Sequence, residues 1–248
     1  MGKTIAVSGK GGVGKSTFAT LLIKALSEKS VVLAVDADPN STLDVMLGVE
    51  VNQTIGDLRE DLLKNVGDLS PAMSKQDYVD YNLRMAMTEG DKFDLVAMGR
   101  QEGPGCYCYI NNILRTYLDQ LSANYDYVVI DNEAGMEHLS RRTTRNVDMM
   151  FILSDPTKHG VVTAGRIREL SGSLDLKVKD RCLVISRTAE IPELLSPVIE
   201  EAGFDCREVF PEDQNIMESS LTGDPLIDLP ADSVAYRRAK EILAKLNI

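Results

Sequence analysis

Seven short apolar runs rich in β-branched residues recur along the chain: TIAVS (4–8), SVVLAVD (30–36), FDLVAMG (93–99), YDYVVID (125–131), MMFILS (149–154), RCLVISR (181–187) and CREVF (206–210). Amphipathic segments such as FATLLIKALSEK (18–29) and IPELLSPVIEEAG (191–203) lie between them. Strands apolar on both faces need cover on both faces, and alternation with helices supplies it. The pattern predicts an α/β fold: a doubly wound, mainly parallel sheet with helices on both faces. With no repeat, low-complexity tract or linker, residues 1–248 read as a single domain. The least regular segment, 50–92, is expected to hold helices and a short edge strand. In such sheets ligands bind at the carboxyl ends of strands, so the residues that follow each run carry the functional argument.

The 248 residues are 44% apolar and 26% charged, an ordinary globular balance that excludes neither enzyme nor binding protein. No apolar run reaches the roughly 18 residues that cross a bilayer, and MGKTIAVSGKGG lacks the apolar core of a secretion signal. The expected location is cytoplasmic, where thiols stay reduced. A net charge of −11 argues against a broad surface for nucleic acid, which is not an expected partner. The final stretch, DSVAYRRAKEILAKLNI, puts Val234, Tyr236, Ala239, Ile242, Leu243 and Leu246 near one helical face. It reads as a terminal helix docked on the core. The sharper alternative is a membrane-surface helix with Arg237, Arg238, Lys240 and Lys245 on its other side; a membrane partner is not expected.

GKGGVGKST (9–17) matches G-x-x-x-x-G-K-[ST] throughout, after a strand and at the start of a helix. Gly11, Gly12, Val13 and Gly14 would turn backbone N–H groups toward the β-phosphate, aided by the helix N-terminus. Lys15 would reach the β- and γ-phosphates, Ser16 would give its hydroxyl to Mg2+, and Thr17 can reach the α-phosphate. YDYVVID ends at Asp131, by position the carboxylate that holds Mg2+ through a water. The expected nucleotide is ATP.

Lys10 stands at the loop's outer tip, where Lys15 already serves the chain's own phosphates. The loop resembles the deviant Walker A signature, KGG-x-GK[ST], of the MinD/ParA/nitrogenase iron-protein class. That resemblance implies that Lys10 crosses a homodimer interface to the partner's nucleotide, as an arginine finger does. It places Asp38, in VDADPNSTLD, on the attacking water in a first switch that also holds Asp44, and it makes NEAGMEH with Gly135 a second switch. An asparagine common after the strand corresponding to LVISRT is replaced here by Ser186 and Arg187. FPEDQNIMES resembles the class's base-side loop, which makes Pro211, Glu212 and Asp213, together with Arg187, candidates for the nucleotide base.

QEGPGCYCYINN (101–112) places Cys106 and Cys108 two apart after FDLVAMG, while Cys182 and Cys206 lie in apolar runs and read as inert core residues. A disulfide between Cys106 and Cys108 would be strained. In extended chain both thiols face one way, and two thiolates leave a tetrahedral metal half satisfied. A twofold dimer supplies the missing pair. Joined to GKGGVGKST, DADPNSTL and DNEAGMEHLSR, the stretch GRQEGPGCYCYINN resembles the CooC-type nickel-insertion ATPases. The resemblance implies a nickel or zinc ion held by Cys106 and Cys108 of both chains, and delivery of nickel to a client such as carbon monoxide dehydrogenase or acetyl-CoA synthase.

Two alternatives stay open. An iron–sulfur ATPase like the nitrogenase iron protein would need a second cysteine just past YDYVVID, and none is there. The other is a MinD-like or ParA-like spatial organiser. Arg141, Arg142 and Arg145 read as a helix face, and His138 and His159 as structural.

Overall fold

The structure is a computed structural model that describes residues 2–38, 42–65, 81–99, 121–134, 146–173 and 177–248. The first apolar run forms β1 (Lys3–Gly9), and the helix after the glycine loop is α1 (Lys15–Ser27). There follow β2 (Val32–Asp36), α2 (Leu43–Leu47), α3 (Ile55–Asn65), β3 (Met87–Glu89), β4 (Phe93–Ala97), β5 (Tyr127–Asp131) and β6 (Asn146–Ser154). The remaining elements are α4 (Lys158–Ser173), β7 (Lys177–Ser186), α5 (Ser196–Glu201), β8 (Cys206–Phe210), α6 (Gln214–Thr222) and α7 (Val234–Lys245).

These strands form one eight-stranded sheet in the order β3-β4-β2-β5-β1-β6-β7-β8. Every pairing is parallel except β3 with β4, so the short edge strand expected within 50–92 is present and antiparallel. Alternate strand residues serve opposite layers. Ile5, Val7, Val129, Phe151 and Val184 pack with α1, α2 and α7. Ala6, Ile152, Leu183 and Ile185 pack with α4 and α5, while Leu33, Val35, Val128 and Ile130 pack with α3. Phe18 of α1 meets Phe151 and Phe210 edge-on, with ring centroids 5.3 and 5.1 Å apart, and thereby pins α1 to both β6 and β8.

Three expectations need correction. The amphipathic stretch 191–203 yields only a 3₁₀ turn (Glu193–Leu195) and the short α5. Pro197 occupies the first turn of α5, and a proline ring cannot sit further inside a helix without displacing the preceding turn. Cys182 and Cys206 are not separate thiols. The register sets them opposite each other on β7 and β8 with Cα atoms 4.6 Å apart, and their sulfurs are bonded. Finally, Val234 is 50% exposed, whereas Ala235, Tyr236, Ala239, Ile242 and Leu243 face inward. The apolar stripe of α7 thus starts one residue later than the sequence spacing suggests.

The same helix is tied down through its polar groups. Ser233 caps it by accepting from the Tyr236 N–H at 3.1 Å. The Tyr236 hydroxyl donates to Oε1 of Glu28, the residue that follows α1, at 2.6 Å. Buried Glu208 pairs with Arg238 at 2.6 Å and with Lys245, and Glu28 pairs with Lys240. Three of the four cations that a membrane-surface helix would offer are therefore held by carboxylates, and the apolar face is in the core. No helix among the described residues is long and apolar enough to cross a membrane.

Candidate nucleotide and magnesium site

The carboxyl ends of β1, β2, β4 and β5 are laced together by the backbone. The Asn132 N–H donates to Val7 O (3.1 Å), the Ala37 N–H to Asp131 O (2.8 Å) and the Met98 N–H to Asp36 O (2.8 Å). At this edge the loop Lys10–Gly14 turns into α1. Gly12 and Gly14 adopt φ of 77° and 88°, the left-handed region that side chains resist, so the turn requires glycine at both. Gly14 is also the residue that caps α1. Lys15 is buried, and its Nζ sits 3.4 Å from Lys10 O, which folds the side chain back across the loop. The Ser16 hydroxyl accepts from Thr42 Oγ1 at 3.4 Å, linking the helix start to the segment after β2.

Asp36 and Asp131 are register partners on neighbouring strands, and both are buried. Their roles divide. Asp36 accepts from the Asp38 N–H (3.0 Å) and the Leu43 N–H (3.1 Å), so its carboxylate shapes the turn that carries Asp38 and starts α2. Neither carboxylate oxygen of Asp131 receives a hydrogen bond of ordinary geometry among the described residues. Burial pushes its carboxyl up to about 7; the neighbouring Ser16 hydroxyl and Lys15 pull it back, while Asp36 and Asp38 push it further. Two buried carboxylate oxygens beside a serine hydroxyl, short of donors, fit a hydrated hard dication such as Mg2+.

On the other flank a cavity of about 290 Å³ is lined by Val13, Thr17, Ser186, Arg187, Pro211 and Glu212, among others. Arg187, at φ 57°, donates from Nη2 to Gly12 O at 2.9 Å, joining the end of β7 to the loop tip. Pro211 and Glu212 lie open to the cavity. Asp213 lines it too, but its carboxylate is already used. One oxygen accepts from the Asn215 N–H and side-chain amide (both 2.8 Å), capping α6, and the other from Ser233 Oγ (2.7 Å) and the Ala235 N–H (2.9 Å), at the start of α7. That carboxylate is a clamp between two helix N-termini, not a free acceptor for a base.

Lys10 points outward, with its side chain 53% exposed, and pairs loosely with Asp155 at 3.8 Å. Asp155 follows β6 at the same sheet edge; its position after an apolar run was the available signal for it. Asn132 also went unsingled in the sequence. It is buried beside Asp131, donates from Nδ2 to Val7 O at 2.8 Å, and presents an Oδ1 with no donor among the described residues. Cys106, Cys108, Gly135, His138, Arg141, Arg142 and Arg145 lie outside the described residues. Among the described residues no group of three or more His, Cys, Asp or Glu side chains stands ready to hold a metal ion.

Comparison with known proteins agrees with this geometry. The model of the CobQ/CobB/MinD/ParA nucleotide-binding domain matches residues 4–226. An uncharacterized ATP-binding protein of Methanocaldococcus jannaschii is 47% identical over 246 residues, spanning 98% of this chain and 97% of that one. The carbon monoxide dehydrogenase accessory protein CooC of Rhodospirillum rubrum is 30% identical over 238 residues, 91% of this chain and 89% of its own. The septum site-determining protein MinD of Bacillus subtilis is 28% identical over 262 residues, 99% and 90% of the two chains. Among solved structures, a ParA family ATPase from Chlorobium tepidum superposes with a TM-score of 0.72 at 21% identity, covering 98% of this chain and 99% of that one. MinD of Pyrococcus horikoshii, solved with Mg-ADP, gives 0.68 at 23% identity over 100% and 98%. The glycine loop, the buried Asp131 beside it and these matches make the chain a P-loop ATPase that belongs to the CobQ/CobB/MinD/ParA nucleotide-binding family.

Proposed function

We propose that the protein is a dimeric metallochaperone ATPase that holds nickel between two copies of Cys106 and Cys108 and releases it on ATP hydrolysis to a carbon monoxide dehydrogenase or acetyl-CoA synthase. The observation that carries the reading is the C-Y-C element just beyond β4, in a chain related along nearly its whole length to a carbon monoxide dehydrogenase accessory protein. β4 lies next to β2, and both run to the sheet edge that carries Asp36 and Asp131. A segment leaving β4 therefore starts where a γ-phosphate would be sensed.

Lys15 and the loop N–H groups would bind the phosphate chain, and Ser16 and Asp131 would hold Mg2+, which when bound neutralises charge between the β- and γ-phosphates. Asp38, set by the Asp36 turn, would orient the attacking water. Lys10, exposed at the tip, would leave Asp155 and reach the partner's nucleotide, so that hydrolysis waits for the dimer. Pro211, Glu212 and Arg187 would bound the base. Thiolates suit zinc and also nickel, and a twofold interface presents each pair twice. The MinD-like alternative rests on a relationship of similar depth to MinD of Bacillus subtilis, but α7, the segment that would meet a membrane, keeps its apolar face in the core.

The test is the variant Cys106→Ala with Cys108→Ala. It should lose stoichiometric nickel and zinc while still folding and binding ATP. Full metal retention sinks the proposal, and iron with acid-labile sulfide in the wild type would favour an iron–sulfur centre instead.

A further inference from the structure

At the end of the sheet away from the phosphate loop, a second cleft of about 330 Å³ lies between α4, the first half of β7 and the turn into β8. Three cations line it: Arg168, Lys179 and Arg181. Two of them are fixed in place by neutral groups. Arg181 donates from Nε to Ser171 Oγ at 2.8 Å and from Nη1 to Val178 O at 3.2 Å. The Arg168 guanidinium lies 5.9 Å from the centroid of the Phe204 ring. It also rests against Gly203, where a Cβ would stand 3.2 Å from Nη1 and 3.3 Å from Nη2 and Cζ. Gly203 has φ +71°, so the turn favours glycine and the glycine leaves room for the guanidinium.

The two arginines are close enough to oppose one another. Burial, and after it the charge of Arg168, lowers the pKa of Arg181. The cleft's own acids, Asp180 and Asp205, make no ion pair with any of the three cations among the described residues. Arg238 and Lys245, by contrast, share buried Glu208. A chain with a net charge of −11 does not lack carboxylates for such pairing. Nη2 of Arg181 and the guanidinium N–H groups of Arg168 are thus held ready, with no acceptor among the described residues.

We propose that this cleft is a second anion site, separate from the phosphate loop, which takes a small phosphate-bearing anion between Arg168 and Arg181 with Lys179 at its rim. The planar donor forks of two arginines match the oxygens of a tetrahedral anion. Bound charge relieves their mutual repulsion, and little side-chain entropy remains to be lost because both guanidinium groups are already packed. The site lies at the far end of the strand whose other end leads to Ser186 and Arg187 of the nucleotide cavity.

The test uses the full chain saturated with Mg2+ and a non-hydrolysable ATP analogue, so that the phosphate loop is filled. Inorganic phosphate is titrated by calorimetry, with a nucleoside monophosphate in a parallel arm. One equivalent of phosphate should bind saturably. Its affinity should fall by about tenfold or more in Arg168→Gln, as for a lost charge-assisted hydrogen bond, with affinity for the analogue unchanged. Lys179→Gln, at an exposed position that leaves the core intact, should weaken binding in the same direction. Binding of the monophosphate with the same dependence on Arg168 assigns a phosphate ester as ligand; its failure to bind assigns the free anion. No saturable binding to the wild type, or equal affinity in wild type and both variants, overturns the proposal.

Discussion

Asp131 is the side chain whose chemistry its surroundings change most. Its carboxyl rises from 3.8 to about 7, chiefly by burial, so the folded chain holds this proton more tightly than the unfolded chain does. The group's contribution to stability is full below about pH 4 and is lost as pH climbs to about 7. Without nucleotide and Mg2+ the wild type should therefore melt at a lower temperature at pH 8 than this residue allows at pH 5. Asp131→Asn should flatten that slope and raise the melting temperature at pH 8, while Mg2+-dependent hydrolysis falls by about 100-fold or more. A variant that melts below wild type at pH 8 would mean that burial is not what strains this carboxylate. Lys10→Ala should keep nucleotide affinity and lose about a thousandfold in turnover, measured by equilibrium binding beside a phosphate-release assay. At this scale the sequence was legible where a residue answers to a motif, as Lys15 and Asp131 do. It was illegible where tertiary partners decide. Asp213 sits in a base-side motif, yet Ser233 and Ala235, brought in by α7, take one of its oxygens. Asn132 and Asp155 match no motif, and only the convergence of strand ends gives them meaning.

Among the elements, α1 is the keystone, because it carries the phosphate loop and packs on β6, β8 and α7 together. Phe18→Ala should cost about 3–5 kcal/mol, as truncation of a buried aromatic does, read as a shift of the denaturant midpoint, and should weaken nucleotide binding through the displaced helix start. The bridge between β7 and β8 closes a loop of sequence separation 24, for which chain entropy predicts about 3.5 kcal/mol. Melting with and without reductant measures it, and Cys182→Ser with Cys206→Ser should abolish the difference. Every apolar run named from the sequence is a strand, since uninterrupted β-branched runs have no other way to bury both faces. The bridge could not be foreseen from those runs. It depends on which strands are neighbours and in what register, and neither property is local. Pro197 carries the signal for the shortening of α5, against an apolar periodicity that continues on both sides of it.

For the molecule as a whole, the nucleotide site faces outward at one edge of the sheet. The loop tip, the exposed Lys10 and the strand that leads to Cys106 all belong to one edge of the sheet. In the proposed function two chains close over nucleotide at this edge and share a metal. The most direct measurement is native mass together with metal analysis of the full chain in apo, ADP and ATP forms, each with and without added nickel. The expected result is a dimer with nucleotide and one nickel per two chains, lost when Cys106 and Cys108 are replaced by alanine. A monomer under every condition, or nickel bound one per chain, would contradict it.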